Sequence, residues 1–263
     1  MDRSAVFTSS LVTAPFPGRD ICGVYVHGFM LHELLDWMIK TVMSQQRATV
    51  YYANAHAINL AQTHPDFRRA LNAAQVVFCD GYGVWLAARW LGHPLPQRFT
   101  PPDWIEQLAN RCATQGYSMM LLGARSGIAQ QAAERLMQQA PGLTASAMQG
   151  YFDPCGREND QVIDAINASG AQVLLVGMGM PQQELWIHQN RNRLNANLVL
   201  SVGALFDYLA GSIKRGPRWL TDSGFEWLTR LYYEPARLWR RYVLGNPQFL
   251  WLVLQQWLHE RGL

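Results

Sequence analysis

Residues 75–83 read Gln75-Val76-Val77-Phe78-Cys79-Asp80-Gly81-Tyr82-Gly83. The stretch has two halves. Gln75 to Cys79 reads as a strand, apolar on nearly every position, without the alternation of a strand that has one wet face. Such a run fits a strand covered on both sides, as in a parallel sheet flanked by helices. The polar half follows at once: a carboxylate, then two glycines around a tyrosine. In open α/β sheets ligands bind beyond the carboxyl ends of the strands, so this turn is where chemistry is expected.

Four further runs share the pattern: Ala48–Ala53, Ser118–Leu122, Gln172–Val176 and Leu198–Val202. Helical spacing of apolar residues marks His56–Ala70, Trp104–Cys112, Ile128–Met137, Gln161–Asn167 and Gln182–Asn190. Strands alternating with helices predict a Rossmann-like parallel-sheet core with helices on both faces and right-handed crossovers. After Gly211 strand signals stop, and three helix-like segments follow, broken at Pro217, Pro235 and Pro247. The expected organisation is a loose leader over 1–20, an α/β domain over 21–212, and a helical appendage over 213–263.

Charge sharpens that division. The chain carries a net +3, and the segment 213–263 alone carries eight basic residues against four acids. Five of the ten tryptophans lie there too, which suggests an anionic partner for the tail. Cys22, Cys79, Cys112 and Cys155 match no metal or redox spacing, so reduced thiols and a cytosolic location are expected. No apolar run reaches the ~20 residues of a membrane-spanning helix, and the N-terminus has no signal-peptide core.

The strand-end turns hold the candidate site. Asn54 follows the first run and suits a sugar hydroxyl or a phosphate, or equally a helix N-cap. Asp80, on its double-glycine turn, is placed to act as a general base or to cap the next helix. Arg98 presents a fork for a phosphate or carboxylate. Thr100 or Asp103 can cap the helix that Pro101 and Pro102 open. Gly123-Ala124-Arg125-Ser126-Gly127 links a strand to a helix and could cradle a phosphate, although it lacks the P-loop's Gly-Lys-Ser/Thr ending. Gly177-Met178-Gly179-Met180-Pro181-Gln182 begins like a dinucleotide fingerprint, but Gln182 stands at the third glycine position. No ribose-binding acid follows between Ala196 and Leu200, so the dinucleotide fingerprint fails, which argues against a Rossmann-type nucleotide oxidoreductase. Gln183 and Glu184 fall in the first turn of the next helix, facing the same sheet end, and Asp207 follows the last strand.

Taken together and in this order, these motifs resemble the WecG/TagA/CpsF glycosyltransferase family, glycosyltransferase family 26. The resemblance rests on Asn54, Asp80-Gly81-Tyr82-Gly83-Val84, Arg98 with Asp103, Gly150-Tyr151-Phe152, Gly179-Met180-Pro181-Gln182-Gln183-Glu184, and Val202-Gly203 through Phe206-Asp207. Lys214-Arg215-Gly216-Pro217, Glu226-Trp227-Leu228 and Glu234-Pro235-Ala236-Arg237 continue it. It implies transfer of a sugar from a UDP-sugar to a sugar on a polyprenyl diphosphate in bacterial cell-surface or exopolysaccharide synthesis. It also implies inversion at the anomeric carbon, no cofactor and no metal, and the chain contains no Asp-x-Asp.

By the same resemblance Asp80 is the base, and Arg98 and Gln183 position the donor diphosphate or the acceptor. Asn54, Tyr52, Gly81, Gly83, Asp103 and Gly123 belong to the substrate pocket, and Tyr151 and Asp207 lie near the uridine. Arg215 and Arg218 close over the diphosphates and stabilise the leaving UDP. The chain departs from the family pattern at Tyr52-Ala53-Asn54 (often Thr-Pro-Asn), Pro101 (often Gly) and Ala124 (a second Gly). These departures bear on the sugars, for which UDP-N-acetylmannosamine, its uronic acid and UDP-glucose all remain.

Arg237, Arg240 and Arg241 with Trp239 form a basic, aromatic cluster expected at an anionic membrane surface on the inner face of the cell membrane. The competing expectation is that the tail helices pack on the core. No nucleic-acid module is recognisable, homo-oligomers stay open, and the alternative function is a non-catalytic polyprenyl-lipid-binding or scaffold protein of a polysaccharide complex.

Overall fold

The computed structural model describes residues 12–213 and 226–262. Its centre is a six-stranded parallel sheet of β3 (Ala48–Ala53), β4 (Val76–Cys79), β5 (Ser118–Gly123), β6 (Thr144–Met148), β7 (Val173–Gly177) and β8 (Leu198–Ser201), in the order β4-β3-β8-β7-β5-β6. The five apolar runs are five of these strands. β3, β4, β7 and β8 are buried at every residue.

Successive residues of a strand point to opposite faces, and here each face has its own core. Val50 and Tyr52 join Leu175 and Leu200 on one side, while Tyr51 and Ala53 join Val176 and Val199 on the other. Helices α1 (Leu31–Met43), α5 (Pro101–Gln115) and α6 (Ile128–Gln139) cover the first face. The second is covered by α2 (Ala55–Thr63), α3 (Pro65–Ala73), α4 (Tyr82–Trp90), α7 (Arg157–Ala168) and α8 (Gln182–Asn190). A short helix, α9 (Leu205–Leu209), follows β8. The fold is thus the expected Rossmann-like α/β core.

The structure adds β6, α1, α9 and an N-terminal hairpin to those expectations and divides one helix. A hairpin of β1 (Gly18–Ile21) and β2 (Val24–His27) begins inside the stretch expected to be a loose leader. Asp20 Oδ1 accepts from Gly23 N at 2.9 Å to close its turn, and His27 Nδ1 accepts from Val77 N at 3.1 Å. The hairpin therefore covers the β4 edge, which would otherwise present unpaired backbone groups. Edge strand β6 is half exposed and built of small residues, so it has no apolar run. Helix α1 is also new, and the single helix expected over 56–70 is two, because Pro65 has no N–H to continue α2.

Past residue 225 come α10 (Glu226–Tyr233), α11 (Pro235–Trp239), a π-helical turn over Arg240–Leu244, and α12 (Gly245–Glu260). Pro247 was expected to break a helix and instead lies in the first turn of α12, just after the π turn has shifted the hydrogen-bond ladder. Phe249 and Val253 of α12 are buried in the second core. Asn59 Nδ2 donates to Gly245 O at 2.7 Å, and Gln256 Oε1 accepts from Cys22 N at 2.7 Å, so α12 is bonded to both α2 and the hairpin turn. All four cysteines are free thiols, and no helix among the described residues is long and apolar enough to cross a membrane.

Candidate active site

A cleft of about 1530 Å³ opens beyond the carboxyl ends of β3, β4, β7 and β8. Its floor includes Tyr52, Gly179 and Gly203, and its walls are built by α2, α4, the loop before α5, and the segment from Leu238 to Val253.

Asn54 and Asp80 end neighbouring strands. Asn54 does two jobs with one amide: Oδ1 accepts from Ala57 N at 3.1 Å to cap α2, and Nδ2 donates to Asp80 Oδ2 at 2.9 Å. One amide thus serves both the cap and the contact with Asp80, and the cap fixes which end of the amide faces the carboxylate. Gly81 makes this approach possible, since a Cβ there would stand 3.0 Å from Asn54 Cβ. Phe99 N donates to Cys79 O at 3.2 Å, which brings Arg98 alongside, its guanidinium 5.7 Å over the Tyr82 ring.

The cleft is electropositive. Among the described residues that line it, Arg89, Arg98, Arg240 and Arg241 carry positive charge and Asp80 alone carries negative charge. Arg240 and Arg241, expected at a membrane surface, are therefore cleft residues as well. Arg240 stacks over Trp239 at 5.4 Å and Arg241 over Tyr242 at 5.5 Å. His56 also lines the cleft, and burial together with the nearby Arg241 pushes its imidazole down to about 4, so it is neutral at physiological pH. The Tyr52 phenol is pushed up by burial, then by the carboxyls of Glu184 and Asp80, and stays protonated.

Other expected residues stand behind or beside the cleft. Gln183 is fully buried beneath the floor, its Nε2 donating to the Tyr52 hydroxyl at 3.3 Å. Asp103 accepts from Thr100 N at 2.8 Å and Thr100 Oγ1 at 3.0 Å in a capping box, so its carboxylate closes the start of α5. Gly123 lies against β7, where a Cβ would come within 2.3 Å of Gly177 O. Tyr151 is 68% exposed, just past Gly150, whose N–H donates to Ala124 O at 3.0 Å. Asp207 is in α9, and Arg237 is the third residue of α11. Arg215 and Arg218 lie outside the described residues. Leu86, Arg89 and Trp90, which no sequence motif marks, also line the cleft. Their spacing along α4 from Tyr82 is the available signal, because residues three and four apart share a helix face.

The class is thus a Rossmann-like α/β protein with a parallel sheet and, among the described residues, one carboxylate and four arginines lining a cleft at the sheet's carboxyl end. Residues 19–262 match the model of the Glycosyl transferase WecG/TagA/CpsF family. The chain is 29% identical over 251 residues to the N-acetylglucosaminyldiphosphoundecaprenol N-acetyl-beta-D-mannosaminyltransferase of Bacillus spizizenii, covering 95% of this chain and 93% of the relative. It is 27% identical over 237 residues to the protein of the same name from Staphylococcus aureus strain NCTC 8325, covering 89% and 91%. The chain belongs to the WecG/TagA/CpsF family and is a hexosyl-transferring glycosyltransferase.

Proposed function

We propose that the protein transfers an N-acetylmannosamine-type sugar from its UDP derivative to an N-acetylglucosamine carried on a polyprenyl diphosphate. The observation that carries this reading is the cleft's charge pattern: Asp80, held by Asn54, lines the same cleft as four arginines among the described residues. The acceptor and the transferred sugar are those in the relatives' names, and the UDP carrier is our addition, a diphosphate that such cations would bind.

In the reaction Asp80 takes the proton of the acceptor hydroxyl as its oxygen attacks the anomeric carbon. The bond from that carbon to the UDP oxygen breaks, and the electron pair leaves with UDP. A single displacement inverts the anomeric centre and needs only one such carboxylate. General-base help of this kind contributes roughly 10²–10⁴-fold. The arginines stabilise charge that develops on the leaving diphosphate, which is work a metal does in other transferases. The neutral His56 and the protonated Tyr52 hydroxyl are hydrogen-bond partners for sugar hydroxyls.

The acceptor lipid stays in the bilayer, so the enzyme is expected at its inner surface. Trp239, Val243, Leu244, Leu250 and Trp251 are all more than two-fifths exposed around the same end of the molecule as Arg240 and Arg241. Apolar side chains beside cations suit the interface of an anionic bilayer.

The test is UDP release from a panel of UDP-sugars with a soluble, short-chain N-acetylglucosaminyl diphospholipid. UDP-N-acetylmannosamine is expected to be used, with the rate unchanged by EDTA. Absence of UDP release with every donor would overturn the reading.

A further inference from the structure

Three strand-end turns meet at the cleft floor, and one buried amide ties them together. Gln183 Oε1 accepts from Gly179 N at 3.2 Å, after β7, and from Gly203 N at 3.1 Å, after β8. Gln183 Nε2 donates to the Tyr52 hydroxyl at 3.3 Å, at the end of β3, and to Glu184 Oε1 at 2.7 Å. All four hydrogen-bonding positions of the amide are used, and its orientation is dictated, because backbone N–H groups can only donate. Tyr52, Gly179 and Gly203 line the cleft, whereas Gln183 and Glu184 are both completely buried.

We propose that Glu184 is a positioning residue for the transfer reaction: by holding Gln183 Nε2 it fixes the amide that sets the Tyr52 hydroxyl and the Gly179 and Gly203 turns at the cleft floor. It touches no substrate. Its second oxygen, Oε2, has no hydrogen-bond partner and is buried, an expensive arrangement for a residue that only fills space. Burial also pushes its carboxyl up to about 7, against the Gln183 amide and a Ser201 hydroxyl that itself meets no partner in hydrogen-bond geometry. The tolerance at the floor is small, since the Tyr52 hydroxyl lies 2.5 Å from where a Gly203 Cβ would be. The same strand adds a second tie, as the Tyr51 hydroxyl donates to the Glu184 carbonyl at 3.2 Å.

The test has two arms on the full chain. The first needs no substrate: amide hydrogen exchange at Gly179 and Gly203. Glu184→Ala is expected to speed exchange at both at least tenfold and leave Ala57 unchanged, while Glu184→Gln, which keeps an acceptor oxygen, restores most of the protection. The second arm rests on the proposed reaction and is a double-mutant cycle with Tyr52→Phe. Each single variant is expected to lower kcat about tenfold or more with little change in acceptor KM, and the double variant to be no worse than the worse single. Unchanged exchange in Glu184→Ala, or losses that multiply in the double variant, would overturn the proposal. If Glu184→Ala does not fold, Glu184→Leu, which fills the space but has no acceptor for Gln183 Nε2, carries both arms: faster exchange than wild type and a kcat loss that vanishes beside Tyr52→Phe are then required. If no donor is turned over, the exchange arm still decides.

Discussion

Asn54 holds Asp80 through a 2.9 Å hydrogen bond between the ends of adjacent strands, while its other amide atom caps α2. One side chain thus joins a structural duty to a site duty, and the two can be separated. Asn54→Ser keeps an N-cap oxygen but cannot reach as far towards Asp80. It is expected to lower kcat with little change in unfolding free energy. Asn54→Ala is expected to lower kcat similarly and to cost a further ~1 kcal/mol of stability. Urea unfolding beside steady-state kinetics checks the pair. Equal kinetics for wild type and Asn54→Ser would contradict the role.

Gly203 is the floor position with the least room. It has φ +57°, and a Cβ would stand 2.5 Å from the Tyr52 hydroxyl oxygen. Gly203→Ala is expected to destabilise the fold by about 1–3 kcal/mol. Adding Tyr52→Phe removes the clashing oxygen and is expected to recover part of that loss, leaving the backbone strain. Denaturant midpoints of the single and double variants measure it.

The half-buried His56 and the buried Glu184 give stability opposite dependences on pH. His56 has its pKa pushed from 6.5 down to about 4, so its contribution is present above pH 6.5 and is lost as pH falls towards 4. Glu184 has its pKa raised from 4.5 to about 7, so its contribution is present below pH 4.5 and is lost as pH rises through 7. His56→Gln is therefore expected to narrow the stability difference between pH 7 and pH 5, by removing a group that must be held neutral. Glu184→Gln is expected to narrow the difference between pH 5 and pH 8. Urea midpoints at the three pH values suffice, and parallel curves for variant and wild type would contradict the assignment.

The arginines of the π turn distinguish a cleft role from a membrane role. Arg241→Ala is expected to lower kcat/KM about 10- to 100-fold on a short-chain acceptor with no membrane present, the cost of a lost charge-assisted hydrogen bond of roughly 1.5–3 kcal/mol. Arginines serving only the bilayer would leave that assay unchanged and lower liposome binding alone.

The sequence made the centre of the sheet legible because strands covered on both faces must be apolar throughout, as Val76–Cys79 shows. It hid β6 for the same reason, since an edge strand of Thr144–Met148 has no need of such a run. Helix α1 was within reach, with Leu34, Leu35, Met38 and Val42 on one face, but no polar turn drew attention to it. At the site, Asn54 and Asp80 were legible as strand-end polar residues and Arg98 as a cation of the loop before α5. Gln183 was legible as a residue near the site but not as a buried one, because its partners Gly179, Gly203 and Tyr52 come together only when three strands lie side by side. Arg240 and Arg241 read as a surface cluster until α12 docked on α2 and turned them to the cleft.

The central claim is that Asp80 is the base. Asp80→Asn preserves the side chain's size while removing its ability to take a proton. With UDP-N-acetylmannosamine and a short-chain N-acetylglucosaminyl diphospholipid, the measurement is kcat, with the unfolding midpoint as a control. A fall in kcat of roughly 10²–10⁴-fold is expected, with the midpoint nearly unchanged. A folded Asp80→Asn enzyme that turns over within a few-fold of wild type would contradict it.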